Sequence, residues 1–222
     1  MGKRGPKPKG KVKIKWSPKF AYAIGLLVSD GNLSPDGRHI VFVSKDYEMI
    51  ELFQESLGID IHIGKKANGT LPGKPYFVAQ FSDVLFYKFL MDIGLMPNKS
   101  KVIGDVKIPD SYFFDFLRGT FDGDGSTYSY FDPRWRSSYM FYTCFISASP
   151  DHITWLRKEI RKRIHINGHV HISNKRSLNQ LKYAKADSLK LLRAMYYSRH
   201  VLSLTRKRLK IVKMLATVGE KL

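Results

Sequence analysis

At 222 residues and a formal net charge of +19, from 38 Lys and Arg against 19 Asp and Glu, the chain is long enough for one large domain or two small ones, and its charge calls for a polyanionic partner. No run approaches the roughly 18 to 20 apolar residues of a membrane helix, and no apolar run follows the basic N-terminus, so neither a membrane span nor a secretory signal is expected. Cys144 is the single cysteine, which excludes a disulfide framework and a Cys-rich zinc site; a cytoplasmic (nucleoid-associated) or organellar protein is expected, with nucleic acid rather than an anionic membrane as partner, since no long amphipathic basic helix stands out.

Residues 1–16 hold seven Lys and Arg, no acid and Gly-Pro punctuation, and read as an extended, mobile basic arm. The arm suits either a minor-groove or backbone-tracking tail or a solubilising one. Ser17-Pro18 is a helix start, predicting a helix from Pro18 to Asp30 with Gly31 as a left-handed stop. A strand follows over Arg38–Ser44, a helix over Tyr47–Leu57 ending at Gly58, strand-like material near Ile59–Ile63 and Tyr76–Phe81, and a helix from Asp83 to about Ile93. These make a first unit over 17–95. Residues 96–110, with Pro97, Gly104 and Pro109, read as a linker. The order then repeats over 111–222: a helix Ser111–Gly123 stopped by Gly125, strands at Thr127–Phe131 and Ser138–Ile146, a helix from Ser149-Pro150 to Ile164, strands near His169–Ser173 and Asn179–Ala184, a helix opened by Asp187, and a C-terminal helix.

Spacing supports the repeat. Asp30 and Asp124 lie 94 residues apart, Ile50 and Ile153 103, Asp83 and Asp187 104, the offset growing where the second copy has extra hairpin residues around Asp132–Ser137. The expected fold class is α+β, two tandem, pseudo-symmetric α-β-β-α-β-β-α repeats. In the first helix Ala21, Gly25 and Ser29 recur every fourth residue; Gly119 and Gly123 do so in its counterpart. Such ridges let two helix backbones approach closely, and a helix-interior Gly costs on the order of 1 kcal/mol against Ala, a cost borne in both copies. Each helix ends Asp-Gly. A carboxylate there meets the negative end of the macrodipole, and if the helices pack side by side Asp30 and Asp124 meet. Two such anions repel unless one takes a proton or cations intervene. Mg²⁺ suits carboxylates, carbonyls and water, with the Ser29 and Gly123 carbonyls as further candidate ligands.

The segments Ala23-Ile24-Gly25-Leu26-Leu27-Val28-Ser29-Asp30-Gly31 and Leu117-Arg118-Gly119-Thr120-Phe121-Asp122-Gly123-Asp124-Gly125 resemble the LAGLIDADG motif. Two copies in one chain, over roughly residues 17 to 212, are similar to the monomeric two-repeat homing endonucleases. The resemblance implies that the motif helices form the interface between halves and that antiparallel sheets form a saddle over DNA. It implies a double-stranded target of roughly 20 base pairs. It also implies that Asp30 and Asp124 bind Mg²⁺ (Mn²⁺ or Ca²⁺ substituting) and that both strands are hydrolysed across the minor groove. A Lys near the end of a repeat's second strand often positions water in this family. Lys45 matches that place; Ala148 stands there in the second repeat, which implies unequal nicking of the two strands. Asp122 matches an earlier acidic position whose first-repeat counterpart is Val28, and so reads as structural.

Candidate DNA-reading residues on the strands are Arg38, His39, Lys65, Lys66, Tyr76 and Gln80 in the first repeat. In the second they are Tyr128, Tyr130, Trp135, Arg136, His171, Lys175, Arg176, Gln180 and Lys182. A sheet in the major groove presents alternate side chains to base edges, Arg suiting guanine and Gln adenine, with Lys on phosphates. Lys99 and Lys101, and Arg206, Lys207 and Arg208, occupy matched C-terminal places that suit either backbone contact or plain surface charge. The calcium-loop likeness of Asp122-Gly123-Asp124-Gly125 fails because Pro133 stands where the acidic ligand belongs. Two alternatives to the endonuclease remain open: a catalytically silent DNA-binding regulator and an RNA maturase.

Overall fold

The computed structural model describes residues 10–67, 75–172 and 178–222. Residues 1–9 of the basic arm, Lys175, Arg176 and Ser173 lie outside them. The end of the arm is anchored rather than free: the Asp83 carboxylate accepts from Lys11 N and Val12 N, Val12 is buried, and Trp16 packs edge-on against Phe20.

Ser17 caps α1 (Pro18–Asp30) by accepting from Phe20 N, with Pro18 supplying a preset φ. The chain turns into β1 (Gly31–Leu33) and β2 (His39–Ser44), then α2 (Tyr47–Leu57). Gly58 at φ 63° gives α2 its left-handed stop. β3 (Ile63–Lys66), β4 (Tyr76–Ser82) and α3 (Val84–Asp92) complete the first repeat, Asp83 capping α3 through Phe86 N. The second repeat runs α4 (Phe113–Asp124), β5 (Ser126–Phe131), β6 (Tyr139–Ser147), α5 (Pro150–Ile164), β7 (His169–His171), β8 (Asn179–Tyr183), α6 (Lys185–Met195) and α7 (Thr205–Ala216). Each repeat holds one antiparallel sheet, ordered β1-β2-β4-β3 and β5-β6-β8-β7. Two pseudo-symmetric α+β repeats with a four-stranded sheet apiece are therefore established.

Several local expectations are corrected. Gly31 is extended, at φ −83°, not left-handed, and Gly125, which does stop its helix, is extended likewise at φ −78°. They are glycine for space: a Cβ would lie 2.6 Å from Leu27 O and Phe121 O respectively. Strand β3 starts at Ile63 rather than Ile59, α6 at Lys185 rather than Asp187, and a 3-10 turn over Asp110–Tyr112 precedes α4. Strand β1 escaped sequence reading because three residues carry too little alternation.

The two motif helices run parallel and touch main chain to main chain. A Cβ on Gly25 would lie 2.1 Å from Phe116 O, one on Gly119 2.1 Å from Tyr22 O, and one on Gly123 1.9 Å from Ser29 Oγ. No side chain fits at those distances, so the small-residue ridge is a physical requirement; Ala21 is fully buried beside it. Ile40, Phe42, Ala79 and Phe81 face the helices in the first repeat, and Phe141 and Leu181 in the second, leaving the opposite face of each sheet open.

The segment over 96–110 is packed rather than loose. Ile103 and Val106 are buried, and Ser149 Oγ donates to Ile103 O.

Candidate catalytic centre and nucleic-acid interface

Parallel packing brings the last residues of α1 and α4 together. The Cβ position of Gly123 lies 3.0 Å from Asp30 Oδ2, so the Asp30 carboxylate sits across the seam from the residue preceding Asp124. Burial raises the Asp30 carboxyl to about 6; the Asp124 charge adds to this, and Lys207 and Lys99 oppose it. Asp124 is exposed along its outer edge, yet the protein crowding its carboxyl also raises it, against the pull of Lys207 and Lys99.

These two lysines are the residues that sequence reasoning left undecided. Lys99 is 5% exposed and its Nζ donates to Gly31 O, just past Asp30. Lys207 Nζ donates to Phe121 O (2.6 Å), Gly123 O (3.0 Å) and Gly125 O (2.7 Å), around Asp124. Burial pushes both ammonium groups down to about 8, against carboxylates that favour the charge: Asp124 and Asp30 at Lys99, Asp122 first at Lys207. Each motif helix thus ends beside a cation, Lys207 on the last carbonyls of α4 and Lys99 on the first carbonyl past α1, which offsets the unfavourable dipole end. Two protonated lysines supply part of the cationic charge that the paired carboxylates call for. Sequence offered the matched places, but five basic residues competed for two roles, and only burial separates them.

The remaining metal-ligand candidates are placed as follows. Of the two carbonyl candidates, Gly123 O accepts from Lys207, and Ser29 lies at the seam with its hydroxyl bonded within its own helix to Leu26 O and Gly25 O. Among the described residues no three His, Cys, Asp or Glu side chains converge. The donors that do converge are two carboxylates with carbonyls nearby, a hard-oxygen set open to solvent on the Asp124 side. That fits Mg²⁺, which keeps waters and takes one or two carboxylates plus a substrate phosphate rather than a full protein cage.

Lys45 lies on the open sheet face with its Nζ 5.3 Å above the Tyr76 ring. Asp122 is fully buried; Tyr22 OH and Leu204 N donate to it at 2.7 and 2.8 Å, while its burial raises it to about 6. It ties α1, α4 and the approach to α7 together.

Strand register sorts the interface candidates. His39, Gln80, Tyr76 and Lys66 share the open face of the first sheet with Val41, Val43 and Val78. Tyr128, Tyr130, Gln180, Lys182 and His171 share that of the second. Lys65 pairs with Phe77 in the opposite phase and is corrected to the helix side. Arg38 stands in the turn before β2, where Asp36 holds both Arg38 and His39; the His39 side chain, then its backbone, pulls Asp36 below the usual carboxylate range. Trp135, 70% exposed, and Arg136 are in the loop between β5 and β6, not on a strand. Tyr142 was missed: it stacks between Tyr128 and Tyr130 at 5.0 and 6.2 Å, and Lys182 Nζ lies 5.4 and 5.1 Å from the Tyr128 and Tyr142 rings. Period-two alternation outside the strand-end residues was the available signal.

The chain has the LAGLIDADG fold. Among solved structures it is similar to the homing endonuclease I-WcaI bound to its DNA recognition sequence (TM-score 0.61, 12% identity, 88% of each chain). It is also similar to full-length DUF199/WhiA from Thermatoga maritima (TM-score 0.58, 17% identity) and to the N-terminal LAGLIDADG domain of DUF199/WhiA (TM-score 0.53, 18% identity, 86% of this chain and 88% of that one). It spans 63% of the full-length DUF199/WhiA chain, which covers 95% of this one. At these identities the likeness is one of fold. No family model and no curated protein matches the chain. No helix among the described residues is long and apolar enough to cross a membrane.

Proposed function

We propose that this chain is a double-stranded-DNA-binding protein that hydrolyses both strands of a specific site with divalent metal, acting as a monomer. The observation that carries the reading is the four-residue centre at the seam: Asp30 and Asp124 from the two halves, with Lys99 and Lys207 on the carbonyls beside them. Asp30 and Asp124 would hold Mg²⁺, which when bound supplies Lewis-acid stabilisation of the scissile phosphates. The two lysines balance the carboxylates from the protein side while bonded to main-chain carbonyls, and their lowered proton affinity leaves an appreciable neutral fraction above pH 8. The open sheet faces supply recognition: Gln80 and Gln180 suit adenine edges, the valines of the first sheet suit thymine methyls, and Lys66 and Lys182 suit phosphates. A charge of +19 supplies the salt-dependent part of the affinity.

A second reading, a LAGLIDADG-fold DNA-binding regulator without cleavage, has its own support. Lys99 and Lys207 balance the two carboxylates, and Lys207 occupies carbonyl oxygens that a metal would share. The test is selection from a randomised duplex library, for binding and for cleavage, with Mg²⁺ and with chelator. Metal-dependent double-strand cuts that Asp30→Asn and Asp124→Asn both abolish support the nuclease. Tight site-specific binding with intact DNA supports the regulator, and stimulated splicing of a host intron without DNA cutting supports the maturase.

A further inference from the structure

The second repeat lacks the strand-end lysine of the first, and the space is open. A cavity of about 160 Å³ lies beside Asp124, lined by Ser29, Ser100, Thr120, Ser147, Ala148 and His152 among others. The repeats align strand end to strand end: Ser44-Lys45-Asp46 leading to Met49, and Ser147-Ala148-Ser149 leading to His152. Met49 Sδ is met by Ser44 Oγ at 3.5 Å. His152 differs. It is 2% exposed, stacks on Trp155 with ring centroids 5.2 Å apart, and places Nδ1 2.8 Å from Gly104 O. A carbonyl can only accept, so Nδ1 carries the proton and Nε2 presents a lone pair. Burial, with Lys99 nearby, keeps this ring less basic than usual. The Nε2 atom is buried without a partner among the described residues.

Buried acceptors of this kind are almost always satisfied, by protein or by ordered water. The cavity is roomy and polar enough for water. Ser147 Oγ accepts from Ser149 N at 3.1 Å and keeps its own proton to donate, and Asp124 lines the same cavity. We propose that His152 is a positioning residue: its Nε2 accepts a hydrogen bond from a water held against Asp124, in the place that Ala148 leaves open. The ring orients this water and takes no proton from it. The inference rests on the nuclease reading and adds to it that the second half-site orients its water through a buried imidazole.

The experiment compares His152→Met, which installs the first-repeat residue and removes the acceptor, with His152→Gln, which keeps one. Strand-resolved cleavage of the selected duplex with Mg²⁺ is expected to slow about tenfold or more on one strand only in His152→Met, and to recover most of that loss in His152→Gln. A second readout needs neither metal nor DNA: histidine ¹⁵N spectra and water cross-relaxation of the wild-type chain are expected to show a protonated Nδ1, a hydrogen-bonded Nε2 and a bound water at the ring. Wild-type cutting with both strands slowed equally, or neither slowed, overturns the inference alone, as does a ring without water contact. A wild-type chain that binds its site and cuts neither strand overturns the nuclease reading, and this inference with it.

Discussion

Replacing Asp30 by Asn should make the metal-free protein more stable at neutral pH. The Asp30 carboxyl is raised from 3.8 to about 6, chiefly by burial and then by Asp124. A raised acid favours folding while it is protonated, below its unfolded value, and that contribution is lost as pH climbs from about 4 through about 6. Two units at about 1.36 kcal/mol each give close to 3 kcal/mol, and partial solvent access reduces this to about 2. For a chain of this length that is a gain of about 4–8 °C in Tm. The assay is thermal unfolding of wild type and Asp30→Asn in chelator, from pH 4 to 8. The curves should converge near pH 4 and separate above pH 6, the variant on top. A variant less stable at pH 7.5, or a gain undiminished at pH 4, would refute the electrostatic account of the seam.

Gly25→Ala puts a Cβ 2.1 Å from Phe116 O, main chain against main chain, and should cost about 3 kcal/mol or more in urea unfolding. Arg118 is 1% exposed, paired with Asp115 and bonded to Leu202 O and Met195 O; Arg118→Met should cost about 3–5 kcal/mol, read the same way. Lys207→Met should lower the cleavage rate about 100-fold, whereas Lys45→Met, whose ammonium lies over Tyr76, should keep the rate within about threefold. Equal losses in the two lysine variants would return the strand-end lysine to the centre of the mechanism.

The sequence carried the seam well, because its signal is steric and local. Gly25, Gly119 and the two terminal aspartates recur at fixed helical spacing, and nothing distant alters what a missing Cβ permits. The capped helices were equally legible, since Ser17, Ser149 and Asp83 act on residues three positions away. Sequence reading failed where position depends on distant chain. Lys99 and Lys207 lie 69 and 83 residues beyond the aspartates they face, and no pattern distinguishes them from neighbouring Lys and Arg. Lys65 turned on strand phase, which register fixes, Tyr142 on an alternation left unread, and no sequence pattern sets His152 apart within α5.

Contact between bare peptide groups has a geometric consequence. The spacing between the Asp30 and Asp124 backbones does not depend on the packing of flexible side chains; the van der Waals radii and pitch of two touching helices set it. The outer strands can therefore exchange residues freely over generations, changing what they recognise, while this separation stays constant like the notch of a gauge.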